Sequence, residues 1–501
     1  MRRALIAVAV LVCGLLAVPA KASPTYPRPS HLSVRDRRIV DEQGRTVILR
    51  GVNVNQLGDY FQGNPAVPST LPFSRTDFER IAALGLDSVR LIVSWSALEP
   101  KPGVRDTAYL ARVRQAVGWA RELGLYVILD MHQDAWGKAV ATAKDQTCPA
   151  PLQPAIGFDG APAWATLTDG LTHCRFQIRE LSPAVGNSFQ SFWLDRNGIQ
   201  QHLVDTWGWL AGAFKTDPTV AGYDLLNEPN PGYVPGGTDL TLLGEFYRRS
   251  TEAIRRGERG GLTKIVFFEP MITWDLASVG LPRPWTTDTQ IAYAPHIYQG
   301  SLSADRAVAG RDVLPLSWGF DQAERDATVY RAPVWSGEWG PFGDAAFDAD
   351  YSTRFAALED QHQFGSAFWQ WKQSCGDPHG VSWPDGRAPA QSGNLVIVTC
   401  GDPAQPAGVD QGLLAANARV LSRPYPRAFP SPATFHGDPA SRVLTMDGTG
   451  QGGVLLWVPG AARPSLVATG VPVGRVTQVR GGWLVEARTA AAHWSLRAEG
   501  G

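Results

Sequence analysis

V-A-G-Y-D-L-L-N-E-P-N, residues 220–230, decides how this chain is read. Leu225 and Leu226 continue an apolar run with strand character. Pro229 cannot donate to a ladder and ends the run one residue after Glu228. A carboxylate delivered at the C-terminal end of a buried strand is where a (β/α)8 barrel keeps its chemistry. N-E-P by itself also fits a helix cap or a loop. A second stretch, A-P-V-W-S-G-E-W-G-P-F at 332–342, ends another strand in the same way and presents Glu338 among glycines and tryptophans.

Outward from these two strands, the pattern predicts short buried strands at 46–54, 87–95, 125–134, 220–227, 264–269, 291–298, 334–338 and 366–371. Helical spacing falls between them at 78–84, 109–123, 199–214, 242–256, 322–330 and 351–362. Such alternation argues an α/β chain folded as a parallel (β/α)8 TIM barrel over an open doubly wound sheet. The stretch 135–198 is far longer than a βα loop needs and is expected to shape a binding site. From Pro424 the texture changes to β-branched runs broken by Gly and Pro, the signature of a small C-terminal antiparallel β-sandwich domain. The expected organisation is a leader at 1–22, a barrel at 23–425 and a β-domain at 426–501.

The 501 residues suffice for a barrel with an appendage. A formal net charge of -1 gives no electrostatic reason to expect nucleic acid. The 18 tryptophans mildly favour a carbohydrate ligand, although core packing accounts for most Trp in any fold. Residues 1–22 carry two arginines, an apolar run and A-K-A, the form of a secretory signal, so the protein is expected outside the cell. Past that leader stand Cys148, Cys174, Cys375 and Cys400. Of the three pairings, proximity favours 148 with 174 and 375 with 400.

Two acids on separate strand ends, flanked by aromatic rings, are the equipment of glycoside hydrolysis. Glu338 is assigned as nucleophile and Glu228 as acid/base. Asn227 suits a hydrogen bond to the sugar 2-hydroxyl. His132 and Asp134, two apart on one strand, point the same way towards sugar hydroxyls. Arg90, inside an apolar run, needs a carboxylate partner, and Glu338 is the candidate. His296 and Tyr298 end strand six, with Tyr298 in reach of the nucleophile. Trp369 or Trp371 should floor the sugar site, and the other should pack. Nothing supplies an HExxH or Cys-rich frame, so neither metal nor cofactor is expected.

These residues resemble glycoside hydrolase family 5, whose pattern of Arg, Asn-Glu, His-x-Tyr, Glu and Trp falls here on Arg90, Asn227-Glu228, His296-Ile297-Tyr298, Glu338 and Trp369. L-D-M-H-Q-D (129–134), G-A-P-A-W-A-T (160–166), D-G-L (169–171) and R-P-Y-P-R-A (423–428) are similar to the endoglycoceramidases within it. The resemblance implies a retaining hydrolase for the β-linkage between a glycan and a hydrophobic aglycone such as ceramide. The substrate would be a glycolipid or other glycoside, and transient contact with a membrane surface is compatible with it. Aromatic residues of the insertion (Phe158, Trp164, Phe176, Phe189, Trp193) are either a lipid slot or the insertion's own core. Where ganglioside-active relatives place a Lys after strand one, this chain offers Asp59, which puts the same glycan in doubt. The alternatives are a β-glucosidase for steryl or plant-type glycosides, a cellulase-like endo-glucanase, and, disfavoured by the intact acid pair, a non-enzymatic carbohydrate-binding barrel.

Overall fold

The computed structural model describes residues 26–233, 237–274, 279–301, 314–343, 345–381 and 393–501, so the expected leader lies outside the described residues. Eight parallel strands form the central sheet: β1 Arg50–Val54, β2 Ser88–Ser94, β3 Tyr126–His132, β4 Val220–Asp224, β5 Ile265–Phe268, β6 Ile291–Tyr293, β7 Trp335–Trp339 and β8 Gly365–Phe368. Their hydrogen-bonded order is β7-β8-β1-β2-β3-β4-β5-β6. A parallel bridge between Tyr293 and Val334 joins β6 to β7 and closes the barrel. Helices cover the outer face, and every residue of β1, β2 and β4–β8 is buried. The expected helix at 199–214 forms as Ile199–Phe214, and the others form within a few residues of their expected ends, except that those at 322–330 and 351–362 begin earlier, as Leu316–Tyr330 and Ala345–His362.

The barrel interior changes character along its axis. Ile128, Ile265, Phe267, Ala292, Trp335 and Ala367 make an apolar cluster. Two residues further along the same strands come Asp130, Glu269 and, after Ala294, His296. Period-two alternation thus places ionisable groups directly above an apolar plug. On β7 the register shifts between Ser336 and Trp339. Trp335 packs on Phe267 inside the barrel, with ring centroids 5.1 Å apart. Glu338, three residues on, also faces inward, which regular alternation would forbid.

One strand expectation is corrected. The run 46–54 is two strands: Thr46–Val47 pairs antiparallel with Tyr425–Phe429 through Val47 and Ala428, and only Arg50–Val54 is β1. The apolar pattern continues across Ile48 and Leu49, so no break shows until the pairing partners are known. Ser33–Arg35, Arg38–Val40 and Thr46–Val47 join Tyr425–Phe429, Gly453–Pro459, Gly482–Arg488 and Val473–Val479 in a seven-stranded sheet, beside a four-stranded antiparallel sheet. Segments from both ends of the described chain therefore build one sheet.

That sheet is fastened to the end of the barrel where the strands begin. Arg50, the first residue of β1, pairs with Glu359 at 2.9 Å and with Asp360. Arg423 also pairs with Glu359, and Asp360 accepts the Gly437 N–H at 2.7 Å. Tyr425 and Arg427 donate to the Gly85 carbonyl at 3.0 and 2.8 Å. The Trp457 indole lies over Gly85, whose φ is +81° and whose absent Cβ would stand 2.0 Å from that ring. Only glycine satisfies both conditions.

The long insertion after β3 carries the helix Pro183–Trp193 and the disulfide Cys148–Cys174, with Cα atoms 5.7 Å apart. Cys375–Cys400 is the other disulfide. Trp136, Phe189, Phe192 and Trp193 pack on one another and on Phe246. Phe158 is buried too. Most of the insertion's aromatics are therefore its own core, and Phe176 is the one of the five named above that stays 42% exposed. No helix among the described residues is long and apolar enough to cross a membrane.

Candidate active site

Arg90 organises the C-terminal mouth of the barrel. Its guanidinium has no exposure and meets four carboxylates: Glu338 through Nη1 at 2.8 Å, Asp224 through Nε at 2.9 Å, and Glu269 and Asp130 through Nη2 at 2.9 and 3.0 Å. Nη1 and Nη2 also donate to Asn53 and Asn227 at 3.1 and 3.0 Å. The expected Arg90–Glu338 pair is present, and three further acids share the same cation. An arginine can serve this many acceptors because its donors are fixed in a planar fork.

Glu228 and Glu338 face each other across His296, and donor atoms of the three lie within 4.8 Å of one another. Glu338 accepts from Arg90 at Oε1 and from the Tyr298 hydroxyl at Oε2, 2.9 Å away. Glu228 Oε1 meets His296 Nδ1 at 2.9 Å, and the same nitrogen stands 3.5 Å from Glu338. Burial raises the Glu338 carboxyl above its ordinary range despite His296 and Arg90. Burial acts in the same sense on Glu228, but the hydrogen bond and charge of His296, with Arg179 beyond, hold it below that range. His296 is raised well above the usual imidazole value by Glu269 and Glu338 against the cost of burial.

Backbone geometry at Glu228 is unusual. Its φ is +40°, a left-handed conformation for a non-glycine residue that also precedes proline. Gln133 Nε2 donates to the carbonyls of Asn227 and Glu228 at 2.7 and 2.9 Å, and the Glu228 N–H donates to Glu269 at 2.8 Å. Asn227 accepts from Arg90 and donates one N–H to the Gln133 carbonyl at 3.0 Å.

Beside this pair sits a second charged group. His132 is held between Asp130 (2.8 Å) and Asp134 (3.2 Å), and its ring stacks on Trp369 at 5.4 Å. Asp134 also meets Arg179 at 2.6 Å and His379 at 2.9 Å. Three cations keep Asp134 well below the ordinary carboxylate range although burial opposes them. Arg179 lies over Phe158 and 3.8 Å from Glu228. A cleft beside Glu228 is lined by Asp134, Arg179, Glu180, Asn230 and Ile272. Trp371 is packed, its indole donating to Asp77 at 3.0 Å. Asp59 is tied to Lys138 and to Ser96. Lys138, from the insertion, thus brings an ammonium to the place where the chain has an Asp.

Among the described residues, three clusters have donors close enough to share a cation: His132/Asp134/His379, Glu228/His296/Glu338 and Asp130/Asp224/Glu269. Arg179 already supplies positive charge to the first, and Arg90 to the other two. A metal would have to displace one of these guanidiniums. Sequence reading missed Arg179, His379, Lys138, Asp130, Asp224 and Glu269. Glu269 had a signal, since F-F-E-P ends strand five as L-N-E-P ends strand four. Arg179 and His379 had none, because each reaches the cleft from a helix of a single turn, too short to leave a periodic pattern.

The family model for Cellulase (glycosyl hydrolase family 5) matches residues 40–374. Endoglycoceramidase I of Rhodococcus hoagii (strain 103S) is 30% identical over 276 residues, 52% of this chain and 51% of that protein. The chain spans about half the length of the curated relatives it matches. A crystal structure of an endogalactoceramidase is 44% identical, with a TM-score of 0.86 over 93% of this chain and 99% of that one. Endo-glycoceramidase II from Rhodococcus sp., solved as a ganglioside GM3 complex, is 25% identical with a TM-score of 0.70 over 93% of this chain and 100% of that one. The chain belongs to glycosyl hydrolase family 5, alongside the endoglycoceramidases.

Proposed function

We propose that this protein is a secreted, retaining β-glycosidase that releases a glycan from ceramide. The observation that carries this reading is the approach of Glu228 to Glu338, within 4.8 Å at their nearest donors, which suits double displacement better than the wider gap an inverting enzyme needs for its water. Donor sets separate the two roles. Glu338 accepts from the Arg90 guanidinium and the Tyr298 hydroxyl, which stabilise and orient its carboxylate form, and so is fit to attack the anomeric carbon. Glu228 is 14% exposed in its side chain, nearer the opening, and meets His296 Nδ1 at 2.9 Å. It would protonate the departing glycosidic oxygen and then deprotonate the water that hydrolyses the glycosyl ester.

Phe176, Ile178 and Leu181 are 42%, 51% and 52% exposed on either side of Arg179, which supports an apolar aglycone and contact with a lipid surface on that side. Export is supported by the form of residues 1–22 and by the two disulfides. The test is product analysis by mass spectrometry, with detergent, on galactosylceramide, glucosylceramide, lactosylceramide, a ganglioside, a steryl glucoside and soluble glucan. Ceramide together with intact sugar is the expected product, absent in Glu338→Gln. Cleavage of the glucan alone would remove the lipid from the account, and turnover of the steryl glucoside alone would replace ceramide by a sterol.

A further inference from the structure

Arg90 has four acidic partners, and they are not equivalent. Asp224 touches Arg90, and Asp130 touches Arg90 and His132. Glu269, one residue past β5 and 1% exposed, reaches three functional groups at once. Its Oε1 accepts from Arg90 Nη2 at 2.9 Å and stands 3.3 Å from His296 Nε2. Its Oε2 accepts the backbone N–H of Glu228 at 2.8 Å. The Glu269 carbonyl is itself fixed by the Tyr247 hydroxyl at 2.7 Å.

The last of the carboxylate contacts is the informative one. Glu228 sits at φ +40° ahead of a proline, a conformation that persists only where the surroundings over-determine it. Gln133 holds its carbonyl side and Glu269 holds its N–H. His296, whose Nδ1 faces the Glu228 carboxyl, has its other nitrogen against Glu269. From both the backbone and the imidazole, Glu269 therefore determines where the Glu228 carboxyl points.

Resting on the role of Glu228 proposed above, we propose that Glu269 is the positioning residue of the acid/base, acting through the Glu228 backbone and through His296. Both its oxygens face N–H donors, so an amide in its place would set an NH2 against a donor whichever way it turned.

The test compares Glu269→Gln with Glu228→Gln on two substrates, lactosylceramide with detergent and 2,4-dinitrophenyl β-lactoside, read as kcat/KM, which reports the glycosylation half-reaction. The dinitrophenolate leaves without a proton, whereas the ceramide alkoxide needs one. A displaced acid costs on the order of 100-fold on the lipid, with little loss on the aryl glycoside. In Glu228→Gln the added Glu269→Gln should change neither value much, because residues acting as one unit are not additive. The ratio of the two substrates is taken on one sample, so partial unfolding cannot mimic it. Glu269→Asp, which keeps the charge but withdraws the carboxylate by one methylene, should show the same selectivity in milder form. Equal losses on both substrates, or full additivity with Glu228→Gln, would overturn the inference. If Glu228→Gln itself fails to discriminate between leaving groups, the fault lies with the role of Glu228 and not with Glu269.

Discussion

Replacing Tyr298 by Phe removes one hydroxyl, 2.9 Å from Glu338 Oε2, and leaves the Arg90 contact at Oε1 intact. A hydrogen bond to a charged group contributes about 1.5–3 kcal/mol, and Glu338 is buried enough that solvent does not replace it. Since a pKa unit corresponds to about 1.4 kcal/mol, loss of the bond raises the Glu338 pKa by about 1–2 units. The sign follows from which form accepts the bond. The phenol stabilises the carboxylate, burial has already raised this carboxyl, and the variant raises it further. Attack requires ionised Glu338, so the acidic limb of the pH profile of kcat/KM moves to higher pH by that amount. At a pH below the limb the variant then falls about 10- to 100-fold, and the deficit shrinks as pH rises. The assay is kcat/KM from acid to neutral pH on 2,4-dinitrophenyl β-lactoside, for wild type and Tyr298→Phe. A uniform drop across pH with the acidic limb unmoved would refute the reasoning, because it would mean that the hydroxyl does not control ionisation of the nucleophile.

Arg90→Met should unfold the mouth of the barrel rather than merely inactivate it: Asp130, Asp224, Glu269 and Glu338 would be left buried without their shared cation, a loss of about 3–5 kcal/mol seen as a lower midpoint in chemical denaturation. Cys148→Ser opens a loop with a sequence separation of 26 and should cost about 3 kcal/mol by the chain-entropy argument, read as a lower Tm that dithiothreitol does not lower further through this bond. Gly85→Ala forces a Cβ into the Trp457 indole at a left-handed φ, and overpacking of this kind costs about 1–3 kcal/mol. Its Tm should fall while kcat/KM of the folded fraction is kept, since Gly85 lies at the opposite end of the barrel from the acids.

Short-range physics made much of this molecule legible from its sequence. Buried strands punctuated by Gly and Pro, with helical spacing between them, specify a (β/α)8 barrel because each strand must be apolar on both faces and each helix on one. Strand ends then mark the chemistry, as Asn227, Glu228, His296, Tyr298, Glu338 and Trp369 did, since a polar side chain finishing such a run has only the mouth to occupy. Tertiary structure decided what depends on contacts distant in sequence. The split of 46–54 between two sheets is set by the partners Ala428 and Asp87, not by any local pattern. A bulge on β7 turns Glu338 inward out of phase with Trp335. Arg179, His379 and Lys138 come from helices of three or four residues, too short for periodicity to fix direction. Above all, the sequence supplied one buried arginine wanting one acid, and the closed barrel gave it four, because closure converges side chains from strands that are far apart in the chain onto a single point.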